Sequence, residues 1–272
     1  MNLRDAAALL REAGVPSPDH DAAELLAHVT GTARTRLGEP NPQQEQEFDA
    51  LIRRRATREP LQHLTGQAHF RYATLEVGPG VFVPRPETEV MTGWVVDRLA
   101  EREHPVVVDL CTGSGAIAYA LATEVPAAGV YAVELGEEAV EYARRNLAGT
   151  GVDLRHGDLS DAFPELDGAV DVVVSNPPYI PLEAFESVAP EARDHDPALA
   201  LWSGEDGLDA IRQVEQAAAR LLKPGGLVAV EHADVQGESA PAVFLAAGRW
   251  SGVRDHADLA GRARFVTARL AR

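Results

Sequence analysis

Residues 106–118 constrain the fold more than any other stretch: Val106-Val107-Val108-Asp109-Leu110-Cys111-Thr112-Gly113-Ser114-Gly115-Ala116-Ile117-Ala118. A short apolar run rich in β-branched residues fits a strand buried on both faces, and the two glycines permit a tight turn. The apolar residues that follow fit a helix packed back onto that strand. A strand, glycine-rich turn and helix in this order open the doubly wound α/β sheets, in which backbone must approach a ligand closely. Three further runs have the same strand character: Gly129–Glu134, Val170–Ser175 and Leu227–Glu231. Helical stretches such as Glu137–Leu147 and Leu208–Leu222 lie between them. Apolar strands alternating with helices predict a mostly parallel sheet covered on both faces. Near the end, extended Gly252–His256 and Arg264–Leu270 flank a turn at Gly261, which predicts a closing hairpin and an antiparallel edge.

The first 60 residues follow a different period. Leu3, Ala6, Ala7 and Leu10 share one helical face before Gly14, and Ala22, Leu25, Leu26 and Val29 share another before Gly31. A third helix is expected from about Gln43 to Arg58, after the breakers Pro40 and Pro42. Residues 69–72 and 74–77 read as extended, Gly78-Pro79-Gly80 as a turn, and Val81–Val83 as a returning strand. The expected organisation is a helical substrate-recognition domain over 1–68, a β-hairpin linker over 69–85, and an α/β domain over 86–272.

Charge narrows the partners. The chain has 272 residues with 25 basic and 42 acidic side chains, a net charge of −17. Residues 1–72 carry 9 Arg against 10 Asp and Glu, so nearly all the excess falls on the α/β part. Phosphate neutralisation needs the opposite balance, so no stable binding to duplex nucleic acid is expected. The Arg53-Arg54-Arg55 run reads as a solvated helix face. No apolar run approaches the length of a membrane span, and the polar, early-acidic Met1–Asp5 does not read as a targeting signal. The lone Cys111 forms no internal disulfide, and the nine histidines show no ligand spacing, so no metal site is expected. These features together predict a soluble cytoplasmic protein.

Two motifs carry chemistry. Glu134 closes the run that follows the glycine turn, where an acidic side chain can accept both ribose hydroxyls of an adenosine. That pair alone fits either NAD or S-adenosylmethionine. The second motif, Ser175-Asn176-Pro177-Pro178-Tyr179, follows the strand 170–175 and should face the glycine turn across the carboxyl ends of the strands. It suits a planar amide or exocyclic amine. The NH₂ of such a group can donate to the Asn176 side-chain oxygen and the Pro177 carbonyl, which holds its nitrogen in line with a methyl donor. Two prolines stiffen the loop, and the Tyr179 ring offers a flat face. Positioning and electrostatics can supply most of the barrier reduction, so no general base is required before attack.

Asn-Pro-Pro-Tyr together with Asp-Leu-Cys-Thr-Gly-Ser-Gly-Ala-Ile resembles a class I S-adenosylmethionine-dependent methyltransferase acting on a planar nitrogen. Arg58–Gly66, Val83–Glu89, Asp196–Leu201, Gly204–Leu208 and Glu231 with Gln236 narrow the likeness to the HemK-type release-factor glutamine methyltransferases. The alternative is an adenine amino-methyltransferase acting on DNA or RNA. The resemblance implies a Rossmann-like sheet, and methyl transfer to the side-chain amide of the Gly-Gly-Gln glutamine in class I peptide chain release factors. It implies that Cys111, Thr112, Gly113, Ser114 and Gly115 cradle S-adenosylmethionine and release S-adenosylhomocysteine. Glu134 would hold the ribose, Asp158 and Leu159 would flank the adenine, and Asn176 would also border the cofactor. Asn176, Pro177, Pro178 and Tyr179 would hold the glutamine, with Asn176, Pro177 and Tyr179 as the catalytic set. Departures from the family pattern are Cys111 in place of Gly, Glu134 for Asp, and His63, His195 and Asp196 for Tyr, Tyr and Glu. Glu231–Gln236 also lacks an expected glycine. Pro84–Glu89 reads in its own right as a helix start, its acids complementing the dipole.

Overall fold

The computed structural model describes residues 1–271, which form two compact units. The first comprises residues 1–67, 77–79 and 188–195. Its helices are Leu3–Glu12, Pro18–Thr30, Pro42–Ala56 and the short Leu61–Thr65. The amphipathic spacing places Ala6, Leu10, Leu25, Phe48 and Ile52 in one apolar core. Asn2 caps the first helix through Asp5 N–H at 2.9 Å. Asn41 and Gln44 form a reciprocal capping box on the third, which explains why it starts at Pro42. Gly31 ends the second helix in the left-handed conformation (φ +65°). A buried ion cluster completes the unit, so of Arg53-Arg54-Arg55, expected as a solvated face, only the first two are exposed and Arg55 is buried. Arg55 Nε lies 2.8 Å from Asp21, Arg55 Nη2 lies 3.0 Å from Glu191, and Arg58 Nη2 lies 2.7 Å from Glu191.

The second unit holds all the strands apart from Gln67, the first residue of β1. β1 (Gln67–Phe70) and β2 (Ala73–Glu76) form a small separate hairpin. The main sheet consists of β3 (Val106–Leu110), β4 (Gly129–Glu134), β5 (Asp153–His156), β6 (Val170–Ser175), β7 (Leu222–Glu231), β8 (Trp250–Ala257) and β9 (Ala263–Leu270). Its spatial order is β5-β4-β3-β6-β7-β9-β8, parallel through β7 and antiparallel for the final pair. Alternate residues enter the cores on opposite faces. Val108, Leu110 and Val173 pack with Ile211, Val214 and Phe244, while Val107, Val172 and Val174 pack with Met91, Val95, Leu99 and Ile117. The chain leaves β3 toward β4 and β5, then returns to add β6 on the other side of β3. That reversal opens a crevice above the carboxyl ends of β3 and β6.

The apolar strands fall where the sequence places them, as does the C-terminal hairpin. Three details differ. The small hairpin turns at Arg71–Tyr72 rather than at Gly78–Gly80, and Val81–Val83 forms no strand. Arg71 adopts φ +52°, held by its N–H donating to Glu89 Oε1 at 3.0 Å and its side chain pairing with Glu124. Tertiary bonds thus override the stronger local turn signal. β5 escapes a periodicity search because Asp153-Leu154-Arg155-His156 contains one aliphatic residue and lies at the sheet edge. β7 begins at Leu222 instead of Leu227, its register with β6 shifting between Val170 and Val172 to absorb Pro224-Gly225-Gly226. No helix among the described residues is long and apolar enough to cross a membrane.

Candidate active site

The crevice is a cavity of about 440 Å³, within the usual size range for small-molecule sites. β3 delivers its floor. After Leu110 the backbone turns through Cys111 (φ +61°), Gly113 (φ +58°) and Gly115 (φ +84°) into the helix Ala116–Glu124. A Cβ on Gly115 would also sit 3.0 Å from Leu147, so conformation and space both demand glycine there. At Gly113 a Cβ would meet no atom within 4 Å, and the residue lines the cavity.

Asp109 anchors the turn from beneath. Its Oδ2 accepts from Thr112 Oγ1 at 2.6 Å and from Ala118 N–H at 3.2 Å, while Oδ1 is buried without a partner. Burial pushes this carboxyl up to about 7, Thr112 and Ala118 oppose that shift, and Glu134 adds to it. Glu134, at the end of β4, accepts from Gly113 N–H at 2.8 Å and from Gly136 N–H at 2.7 Å. The Cys111 thiol is pushed far up by removal from water and by the Glu134 and Asp109 carboxylates, so it remains a neutral packing group. Asp158, after β5, accepts from Ser160 N–H at 2.8 Å, and its bonds with Ser160 hold its carboxyl below the usual range.

Asn176, Pro178 and Tyr179 reach the same cavity from the end of β6, and Thr88 reaches it from the start of the helix Thr88–Ala100. Asn176 Nδ2 donates to Thr88 Oγ1 at 3.4 Å. The Tyr179 hydroxyl donates to Glu231 Oε1 at 3.3 Å, and burial raises that phenol well above its ordinary value. Glu231, the last residue of β7, is 1% exposed, and burial pushes its carboxyl up to about 7. Gln236 Nε2 donates to the Tyr179 carbonyl at 3.1 Å and to the Gly207 carbonyl at 3.3 Å, tying two loops together. Arg85 pairs with Asp196 at 2.7 Å; burial still pushes the Asp196 carboxyl up to about 6.

Cys111, Thr112, Gly113, Ser114, Glu134, Asp158, Leu159, Asn176, Pro178 and Tyr179 therefore share one cavity. Gly115 stands directly behind it as the cap of the following helix, and Pro177 is buried with its side chain off the cavity wall. Sequence reasoning did not single out Thr88, although the segment Pro84–Glu89 that holds it is compatible with lining a cofactor or substrate channel, nor Asp109, whose anchoring role needs the fold. Phe82, Leu135 and Trp202 also line the cavity, on loops without a motif. The donor set suits S-adenosylmethionine. Carboxylates at one wall fit ribose hydroxyls, the apolar Leu135, Ala139 and Leu159 fit a base, and the open glycine turn admits close approach of a ligand to backbone.

Comparison with known proteins finds relatives over both parts of the chain. Residues 2–66 match the PrmC N-terminal domain and residues 73–190 the methyltransferase small domain. The chain is 59% identical over 268 residues to the release factor glutamine methyltransferase of Streptomyces coelicolor, covering 96% of this chain and 94% of that protein. The chain belongs to the release factor glutamine methyltransferase family. The family member from Mycolicibacterium smegmatis is 50% identical, covering 98% of this chain and 96% of its own. A relative outside that name, the 4-amino-L-phenylalanine/4-methylamino-L-phenylalanine methyltransferase of Streptomyces pristinaespiralis, is 48% identical, covering 85% of this chain and 81% of its own. Among solved structures, a methyltransferase from Pyrococcus furiosus aligns with a TM-score of 0.50 at 22% identity, covering 72% of this chain and 87% of that one, a likeness of fold alone.

Proposed function

We propose that this chain, acting in the cytoplasm, transfers a methyl group from S-adenosylmethionine to the side-chain amide nitrogen of the Gly-Gly-Gln glutamine in class I peptide chain release factors. The observation that carries the reading is the meeting of Asn176, Pro178 and Tyr179 with the glycine-rich turn on one cavity of a family member. S-adenosylmethionine, when bound, supplies an electrophilic methyl group on a sulfonium. Cys111 to Gly115 and Glu134 hold its amino-acid and ribose portions, and Asp158 with Leu159 borders its base. The Asn176 oxygen and the Pro177 carbonyl accept the two N–H groups of the glutamine amide, so the nitrogen is held facing the methyl group. As charge develops on that nitrogen its N–H groups become stronger donors, and both acceptors bind them more tightly than in the ground state. Tyr179 packs against the flat amide, with its hydroxyl fixed by Glu231 and its carbonyl by Gln236. The helical unit contacts the release factor, in keeping with its different charge balance. Adenine as acceptor is not favoured, because the relatives carry release-factor names over nearly the whole chain and the α/β part is strongly acidic.

The test is transfer of labelled methyl to a purified class I release factor, beside one whose Gly-Gly-Gln glutamine is alanine. Label on the first alone is expected. Asn176→Ala should lower the rate by about 10³-fold or more while leaving cofactor affinity within about threefold. Label on neither factor, or on both alike, would overturn the reading. Free 4-aminophenylalanine serves as a competing acceptor, and preferential label there would redirect the assignment to aromatic amines.

A further inference from the structure

An asparagine side chain has two nearly isosteric ends, and only the oxygen can accept from a substrate NH₂. Some group must therefore set which end of Asn176 faces the acceptor. The only side chain that hydrogen-bonds to this amide among the described residues is Thr88, whose Oγ1 lies 3.4 Å from Nδ2. Thr88 is 3% exposed, so bulk water does not compete for its hydroxyl. The Thr88 hydroxyl also favours the charged form of Glu231, which is 1% exposed. Glu231 Oε1 accepts from Tyr179, whereas Oε2 is buried without a made hydrogen bond and is free to accept from the Thr88 hydroxyl.

The hydroxyl has one proton to give. An ionised carboxylate can only accept, so the Thr88 proton turns to Glu231 and a lone pair turns to Asn176. A lone pair requires a donor opposite it, which is the NH₂ end of the amide. The oxygen end then points to the acceptor nitrogen. We propose that Thr88, with its proton held by Glu231, is a positioning residue that fixes the Asn176 amide with its oxygen toward the substrate. This rests on the function proposed above, in which Asn176 accepts from the glutamine amide.

Protonation of Glu231 reverses the logic. A carboxylic acid donates to Thr88, the Thr88 proton is released toward Asn176, and the amide loses its preference. Glu231 is faced by Thr88 and Glu87 from the helix start, by Tyr179 from the loop after β6, and by Arg264 from β9. Arg264 is itself paired with Asp258 at 3.1 Å. His232, the first residue after β7, turns its ring away to the Ala233 carbonyl and Asp255.

The experiment uses the full chain with Thr88→Val, Thr88→Ser and Glu231→Gln. It measures single-turnover transfer to a release factor, cofactor affinity by calorimetry, thermal melting, and the side-chain ¹⁵N–¹H resonances of Asn176, assigned by their loss in Asn176→Ala. Thr88→Val should slow transfer by about 30-fold or more with cofactor affinity within about threefold, as expected for a positioning loss. Thr88→Ser, which restores the hydroxyl, should recover at least about a third of the rate. In the protein without cofactor, the Asn176 resonances should shift as Glu231 titrates, and should not do so in Thr88→Val or Glu231→Gln. Transfer by Thr88→Val within about threefold of the parent, a serine variant as slow as valine, or cofactor affinity falling in step would each overturn the proposal. Asn176 resonances indifferent to pH would overturn it as well. Should Thr88→Val fail to fold, Glu231→Gln decides by the same rate and resonance readings. A parent protein that labels no release factor overturns the proposed function instead, and the resonances still report on the side-chain arrangement.

Discussion

The Glu134 carboxylate bridges two backbone turns, accepting from Gly113 N–H through Oε2 at 2.8 Å and from Gly136 N–H through Oε1 at 2.7 Å. Each oxygen keeps a further lone pair, so the residue can brace the glycine-rich turn and still face ribose hydroxyls.

Glu134→Gln should therefore weaken two properties together. One of the two backbone donors would then face an NH₂ group, leaving it unsatisfied at a cost of about 1–3 kcal/mol. Affinity for S-adenosylmethionine should fall by about 10- to 100-fold, since a ribose acceptor is lost with the charge. Calorimetric titration and thermal melting check the pair. A variant that loses affinity but melts like the parent would show that the bracing is unimportant.

The difference between what the sequence discloses and what it hides follows from how far apart the determinants lie. Val106–Leu110, Gly129–Glu134 and Val170–Ser175 are legible because a strand buried on both faces must be a continuous apolar run. Asp153–His156 pairs along one side only and needs no such run, so nothing in its four residues marks it. The turn at Arg71 is decided by Glu89 and Glu124, not by its own neighbours. The site divides in the same way. The glycine turn and Asn-Pro-Pro-Tyr are contiguous motifs, whereas Thr88 and Glu231 join the site only because a helix start reaches Asn176 and a strand end reaches Tyr179.

Cys111 supplies a test of local backbone strain and thiol chemistry. It adopts φ +61°, a conformation that costs a residue with a Cβ about 1–2 kcal/mol. Cys111→Val adds a β-branched side chain in that region and should destabilise by more than about 2 kcal/mol, while Cys111→Gly should stay within about 1 kcal/mol of the parent as strain relief offsets added chain entropy. The thiol, raised by burial and by two carboxylates, should resist thiol–disulfide exchange at pH 8 and react on unfolding. Denaturation curves and reaction with a chromogenic disulfide measure both. Rapid labelling of the native protein would contradict the environment described.

Asp109 should leave a signature in the pH dependence of stability. Its folded value is raised from 3.8 to about 7, so the folded chain holds this proton more tightly than the unfolded chain does. The stability it contributes is fully present below about pH 4 and is lost as pH rises toward 7. Asp109→Asn keeps an acceptor for Thr112 and Ala118 and removes the titration. Relative to the parent, the variant should gain on the order of 1–4 kcal/mol between pH 4 and pH 8. Comparing the two proteins cancels other groups, Glu231 included, that titrate in the same window. Urea denaturation at a series of pH values checks it, and parallel curves for the two proteins would refute it.

In the helical unit the vulnerable residue is Arg55, whose side chain is 5% exposed. Its guanidinium donates to Asp21 at 2.8 Å, to the Glu59 carbonyl at 3.0 Å and to Glu191 at 3.0 Å. Burial works against the charge on Glu191, but bonds from Arg58 and Arg55 hold its carboxyl below the usual range. Arg55→Met fills similar space yet strands Asp21, which has 8% of its side chain exposed. A buried carboxylate without its partner should cost about 3–5 kcal/mol. Asp21→Leu combined with Arg55→Met removes both charges and should recover much of that loss, since Glu191 retains Arg58 at 2.7 Å. Urea denaturation of the single and double variants measures the difference, and a double variant no more stable than Arg55→Met would show that lost packing, not the stranded charge, sets the cost.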